Sequence, residues 1–258
     1  MDRPEPVKAL QVDRLQVEVY ASREEMGRAA AIDVASGMRS ALVSHESVRM
    51  IFAAAPSQNE FLQALAATAD LDWRRVEALH MDEYIGLEPE APQRFGTFLR
   101  NALFEGVKPG RIETIDGNAA DPAAECARYA ALLAEGPIDI VCAGIGENGH
   151  MAFNDPHVAD FGDPEAVKVV TLDERCRWQQ VHDGAFATID QVPASAITLT
   201  MPALMGARWL YCIVPGPAKA EAVRRTLRGP ISTSCPASIM RRHEGAILYL
   251  DAEAAADI

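Results

Sequence analysis

The chain has 258 residues, 49% of them apolar and 24% charged, enough to bury a substantial core and too apolar for a disordered protein. Its net charge of −13 excludes a sequence-independent grip on nucleic acid or on an anionic membrane, since both require a basic face. Five cysteines without any C-x-x-C pair suit a reducing compartment, and neither a leader nor a membrane-spanning stretch is evident, so a soluble, cytoplasmic protein is expected.

The first dozen residues, with Pro4 and Pro6, read as peripheral, and LQVEVY from Leu15 reads as a strand. Ser22 to His45 is the clearest helix. Ser22 and Glu25 form a capping box, and Met26, Ala30, Val34 and Leu42 share a face. A second strand, VRMIFAA, runs into the polar segment APSQN, and Gln58 to Ala69 has a helical pattern. VEALHM is a third strand, and it ends in the carboxylates Asp82 and Glu83. Adjacent residues on an extended chain point in opposite directions, so only one of the two is expected to face a site. Helical windows follow at Gln93 to Glu105 and Pro122 to Glu135.

The next strand, IDIVCAG, delivers Gly144, Gly146 and Gly149 with the G-x-G-x-x-G spacing of a dinucleotide turn. A pyrophosphate site requires a helix to begin on those glycines. Pro156 and Pro164 follow closely, and His150, Asn154 and Asp155 stand where an apolar stripe would be. The turn is therefore not that of a nicotinamide site. VKVVTL, RWLYCIV and GAILYL complete the strands, with Lys219 at the start of a helical window from Ala218 to Leu227. The tail from residue 252 reads as peripheral.

This alternation predicts a single α/β domain spanning 1–258, with a doubly wound, mostly parallel sheet and helices on both faces. In such sheets ligands collect beyond the carboxyl ends of the strands. Polar residues stand at four such ends: Ser57 and Asn59, Asp82 and Glu83, His150 with Asp155, and Lys219. A carboxylate held partly out of water and a histidine are the groups for moving protons near neutral pH. A lone histidine is more often a structural hydrogen-bonder, but one leaving a strand end beside a glycine turn has a functional reading. Lys219 and Ser57 are candidate contacts for an anion. A metal centre drawn from His80, Asp82, His150, Asp155 and His157 was weighed against the absence of any tight ligand spacing, and none is expected.

HMDEYIGL and GIGENGHMAFND together, with GPAKAEAV and PISTSCPAS, resemble the glucosamine-6-phosphate deaminase/isomerase family, which is related to the 6-phosphogluconolactonases. The resemblance implies a modified Rossmann-type fold, no cofactor, and a small-molecule sugar phosphate as partner, with a homo-oligomer open. It also implies that amino-sugar phosphate is converted to ketose phosphate and ammonia. By position, Asp82 would move a proton between C2 and C1, His150 would assist ring opening with Asp155 and Asn148 beside it, and Lys219 would bind phosphate. Ser57, Asn59, Gly144, Gly146 and Arg177 complete the expected binding set.

The chain departs from that pattern in four places. Asn148 stands where an aspartate is expected, Asp155 where a glutamate is, PSQNEF where a glycine- and threonine-rich loop is, and Gln180 where an arginine is. Arg177, one helical turn earlier, is the expected substitute. A lactone hydrolase and a sugar-phosphate sensor without turnover are the alternatives.

Overall fold

The computed structural model describes residues 2–258. Eight strands form the main sheet: β1 (Lys8–Val12), β2 (Leu15–Tyr20), β3 (Val48–Phe52), β4 (Val76–His80), β6 (Arg111–Glu113), β7 (Ile140–Ala143), β10 (Trp209–Val214) and β11 (Ala246–Asp251). Their spatial order is β1-β2-β11-β10-β7-β3-β4-β6, and every pairing is parallel except β1 with β2. The modified Rossmann-type, doubly wound architecture read from the sequence is the observed one. From β3 the chain winds outward through β4 to β6, then returns to β7 and winds the other way through β10 to β11. The switch therefore lies between β3 and β7, where a crevice opens at the carboxyl ends of the strands.

The central strands are apolar throughout because both faces are covered. Along β3, Met50 and Phe52 join the core under α1 (Arg23–Ser44) and α2 (Asn59–Ala66), while Ile51 points to the opposite core. In β7, Ile140 and Cys142 face the first side, and Val141 and Ala143 the second. Tyr129 of α5 (Pro122–Leu133) and Val223 and Leu227 of α8 (Ala220–Arg228) fill that second side. Ser22 caps α1 by accepting from the Glu25 N–H at 3.2 Å, as the capping-box pattern predicts. Arg49 is nearly buried in β3, and its guanidinium accepts the fraying end of α5 by donating to the carbonyls of Leu132, Leu133 and Gly136.

A second, three-stranded antiparallel sheet is built from β5 (Asp82–Tyr84), β8 (Val167–Thr171) and β9 (Ser195–Leu199), in the order β5-β9-β8. VKVVTL thus belongs to this sheet and not to the parallel one. Its alternating exposure, with Val169 facing solvent, reflects a strand covered on one face. Residues 8–12 form an edge strand of the main sheet, secured at its start by Arg3, which pairs with Asp33 at 2.6 Å. α3 (Phe95–Leu99) continues through a π turn (Arg100–Phe104) into α4 (Glu105–Val107). The remaining helices are α6 (Glu174–His182) and α7 (Met201–Met205).

Candidate active site

A cavity of about 370 Å³ occupies the switch crevice. Each of its walls is a strand end or the turn that leaves it. After β3 come Ala53 to Gln58, after β4 Met81 and Asp82, after β7 Gly144 to Gly146 with His150, and after β10 Lys219. Phe95, Phe98 and Phe153 form an apolar wall, stiffened by stacking of Phe95 on Phe153 at 5.5 Å. Gln179, Gln180 and Asp183 close the side toward α6.

Asp82 and Glu83 divide as the strand period requires. Asp82 faces the cavity, is 7% exposed, and its carboxylate receives no protein donor among the described residues. Burial, with Glu83 adding to it, pushes this carboxyl well above the usual carboxylate range. Glu83 points away and accepts the backbone N–H groups of Tyr84, Phe95 and Gly96 at 3.0 to 3.1 Å, which anchors the start of α3. Burial raises it too, against those N–H groups and Arg94.

The glycine turn after β7 serves His150. The Gly146 N–H donates to the His150 carbonyl and the Gly149 N–H to the Gly146 carbonyl, folding the segment back on itself. A Cβ on Gly146 would lie 2.1 to 2.5 Å from the His150 ring, so only glycine lets the imidazole lie over the turn. Gly149 adopts φ +92°, a conformation favouring glycine. His150 Nδ1 sits 2.9 Å from Asp155 Oδ1, a short ionic contact although the ring N–H is not aligned along it. Burial would raise the Asp155 carboxyl, but His150 and Asn148 outweigh that and hold it below its ordinary value. Nδ1 is thereby directed at an anion, and Nε2 is the ring nitrogen left for a ligand.

Lys219 is 6% exposed, lines the cavity and forms no ion pair among the described residues. Burial lowers its ammonium below the usual lysine value, with Asp183 and Glu147 pulling the other way. Ser57 Oγ accepts from Gln58 Nε2 at 3.1 Å, so its own hydroxyl proton remains available to a ligand. Asp82, His150, Ser57, Gly144, Gly146 and Lys219 therefore meet in one cavity. Asn148 and Asp155 stand directly behind His150.

Two expected residues lie elsewhere. Asn59, first residue of α2, is exposed and outside the cavity. Arg177 is turned away and donates to the carbonyls of Ile189 and Val192 at 2.8 and 2.9 Å, pinning the turn at Ile189–Gln191. Gln179 and Gln180 are the buried residues that α6 presents instead, and Gln180 accepts the Tyr84 hydroxyl at 2.7 Å. Their signal was the spacing 176, 179, 180 and 183, which places one helix face toward the cavity. His80, one of the residues weighed for a metal, is sealed in the core, where its Nε2 accepts the Ile115 N–H at 2.7 Å.

A doubly wound sheet whose switch crevice collects a free carboxylate, an imidazole backed by a second carboxylate and one lysine defines a cavity for proton transfer on a small polar ligand. The chain belongs to the family described as glucosamine-6-phosphate isomerases/6-phosphogluconolactonase, whose profile matches residues 21–249. It is 38% identical over 187 residues to a glucosamine-6-phosphate deaminase of Exiguobacterium sibiricum, covering 72% of this chain and 71% of that protein. The deaminase of Listeria innocua is 32% identical over 213 residues, or 83% and 89% of the two chains. Among solved structures, a monomeric glucosamine-6-phosphate deaminase superposes with a TM-score of 0.86 at 30% identity, covering 94% of this chain and 99% of that one. The 6-phosphogluconolactonase of Thermotoga maritima shares the fold, with a TM-score of 0.73 at 16% identity over 92% and 98% of the chains.

Proposed function

We propose that the protein opens the ring of a 2-amino-2-deoxyaldose phosphate, glucosamine 6-phosphate in the first instance, isomerises it and releases ammonia. The observation that carries this reading is the unpaired Asp82 carboxylate facing the same cavity as the His150–Asp155 pair.

His150 transfers the proton from the C1 hydroxyl to the ring oxygen, giving the open-chain aldehyde. Asp82 then removes the C2 proton to give an enolamine and returns it to C1, leaving a C2 ketimine. Water adds to the ketimine and ammonia departs, giving the ketose. One carboxylate serves two adjacent carbons, and its raised proton affinity makes it a stronger base than a solvated aspartate. Lys219, with the Ser57 hydroxyl, meets the anionic end of the sugar. No step draws on a cofactor. The five buried, unpaired cysteines favour a reducing, cytoplasmic setting.

Lactone hydrolysis would need His150 to activate water but gives Asp82 no carbon proton to move. The test is incubation of the purified protein with glucosamine 6-phosphate, assaying ammonia and ketose phosphate together. Stoichiometric release of both is expected, and no product above an Asp82→Asn control would remove the proposal.

A further inference from the structure

Asn148 touches three groups at once. Its Nδ2 donates to Asp155 Oδ1 at 2.8 Å and to Asp173 Oδ2 at 3.0 Å, while its Oδ1 accepts the His150 backbone N–H at 2.9 Å. Asp173 in turn caps α6 by accepting the Cys176 N–H at 2.6 Å, and its own N–H donates to Asp155 Oδ2 at 3.1 Å. Asn148 is 4% exposed and Asp155 fully buried. Two amide hydrogens are thus shared between two carboxylates, a role that no carboxylate at position 148 could fill because it has no proton to donate.

We propose that Asn148 is a positioning residue, a clamp that lets Asp155 and Asp173 approach it from two sides, sets Asp155 against His150 and locks the start of α6 to the site. α6 supplies Gln179, Gln180 and Asp183 to the cavity wall, so the clamp also fixes that wall. On this account Asn148 is matched to Asp173, and restoring an aspartate at 148 lowers activity. The other groups facing the cluster are the Cys176 thiol against Asp155, Arg225 with Nη1 3.4 Å from the Asn148 carbonyl, and Asp82, whose field reaches Cys176. The kinetic part of the inference rests on the deaminase reading, and the structural part does not.

The experiment compares wild type, Asn148→Asp, Asp173→Asn and the double variant N148D/D173N. Two readouts are used: the titration of His150 followed by nitrogen-15 NMR, and the pH profile of kcat/KM on glucosamine 6-phosphate. In N148D an added negative charge beside the imidazole is expected to raise the His150 midpoint by about one pH unit and to lower kcat/KM about tenfold or more. The double variant restores the charge count and keeps an N-cap, since asparagine caps helices as well as aspartate does. It is expected to reverse at least half the titration shift and to recover kcat/KM about threefold or more, a non-additivity that two independent sites would not show.

Wild-type activity in N148D with an unmoved His150, or a double variant no better than N148D, overturns the clamp. If N148D does not fold, the double variant decides. A folded double variant with a His150 midpoint near wild type supports the pairing, and failure of both to fold overturns it. Absence of ammonia from the wild type itself would instead sink the proposed function, while the His150 titration still reports on the clamp.

Discussion

Asp82 and Glu83 are neighbours in the chain and opposites in circumstance: the first faces the cavity without a protein donor, and the second accepts three backbone N–H groups. The cause is the two-residue period of β5. One carboxylate is spent on holding α3, and the other is held out of water with nothing to neutralise it but a ligand or a proton.

That arrangement predicts opposite effects of Asp82→Asn on activity and stability. Loss of a general base lowers kcat about 10²- to 10⁴-fold. The folded-state proton affinity of Asp82 is raised, so its contribution to stability is fully present below the unfolded carboxyl range and is lost as pH rises through the folded value. At neutral pH the charged carboxylate therefore weighs against folding, and the amide removes the cost. Thermal melts should show the variant more stable by about 1 kcal/mol at pH 8, with the advantage shrinking toward pH 4. A less stable variant at pH 8 would count against the buried, unpaired carboxylate.

His80 predicts an acid limit to stability. Burial, with Arg94 adding to it, lowers this imidazole to about 3. A depressed histidine gives stability that is complete above its unfolded value near 6.5 and is lost as pH falls toward the folded value. Between pH 6.5 and 5 the cost is about 2 kcal/mol. His80→Gln keeps an acceptor for the Ile115 N–H and carries no proton, so chemical denaturation of the variant should lack that part of the pH dependence. Parallel curves for the two proteins would place the acid sensitivity elsewhere.

Much of this was legible in the chain because it depended on local pattern. Seven apolar runs gave seven strands, and the strand-end rule gathered Ser57, Asp82, His150 and Lys219 into one cavity before any coordinates. The short strands β1, β5, β6 and β9 carried too few residues for a period to register. Placing VKVVTL in a second sheet required knowing its partner, β9, which was itself unread. Arg177 was chosen because arginine is the stronger anion ligand, but helix phase decided otherwise. It reaches carbonyls on the far side of α6, and Gln179 and Gln180 take the inner face. Asn148 stood out in the sequence as a missing charge. Only the proximity of Asp173, 25 residues away, gives the amide its use.

Gly146 tests whether the turn exists for the imidazole. Alanine there would place a methyl group within 2.5 Å of the His150 ring, and the ring is easier to displace than the backbone. Gly146→Ala should fold with a modest loss of melting temperature. It should lose kcat about 100-fold, the effect expected from misplacing a reacting group by about 1 Å. Unchanged kcat would mean that the ring has another productive position.

Lys219 is the only lysine or arginine lining the cavity, and Asp82 and Asp183 line it as well. Recognition of a phosphate dianion therefore hangs on one ammonium, whose proton is held less firmly than in water because it is buried. Lys219→Met should raise KM for glucosamine 6-phosphate about 10- to 100-fold, as expected for a desolvated charge contact of about 1.5 to 3 kcal/mol, and should change kcat less. In the wild type the same contact weakens as the lysine loses its proton. KM should accordingly climb with pH before the ordinary lysine range is reached, and the methionine variant should not show the climb. Asp183→Asn removes a competing anion at the exposed rim and should lower KM a few-fold, an effect that fades with added salt. A KM that ignores both substitutions would mean that the anionic end of the substrate lies away from Lys219, with the sugar reversed in the crevice.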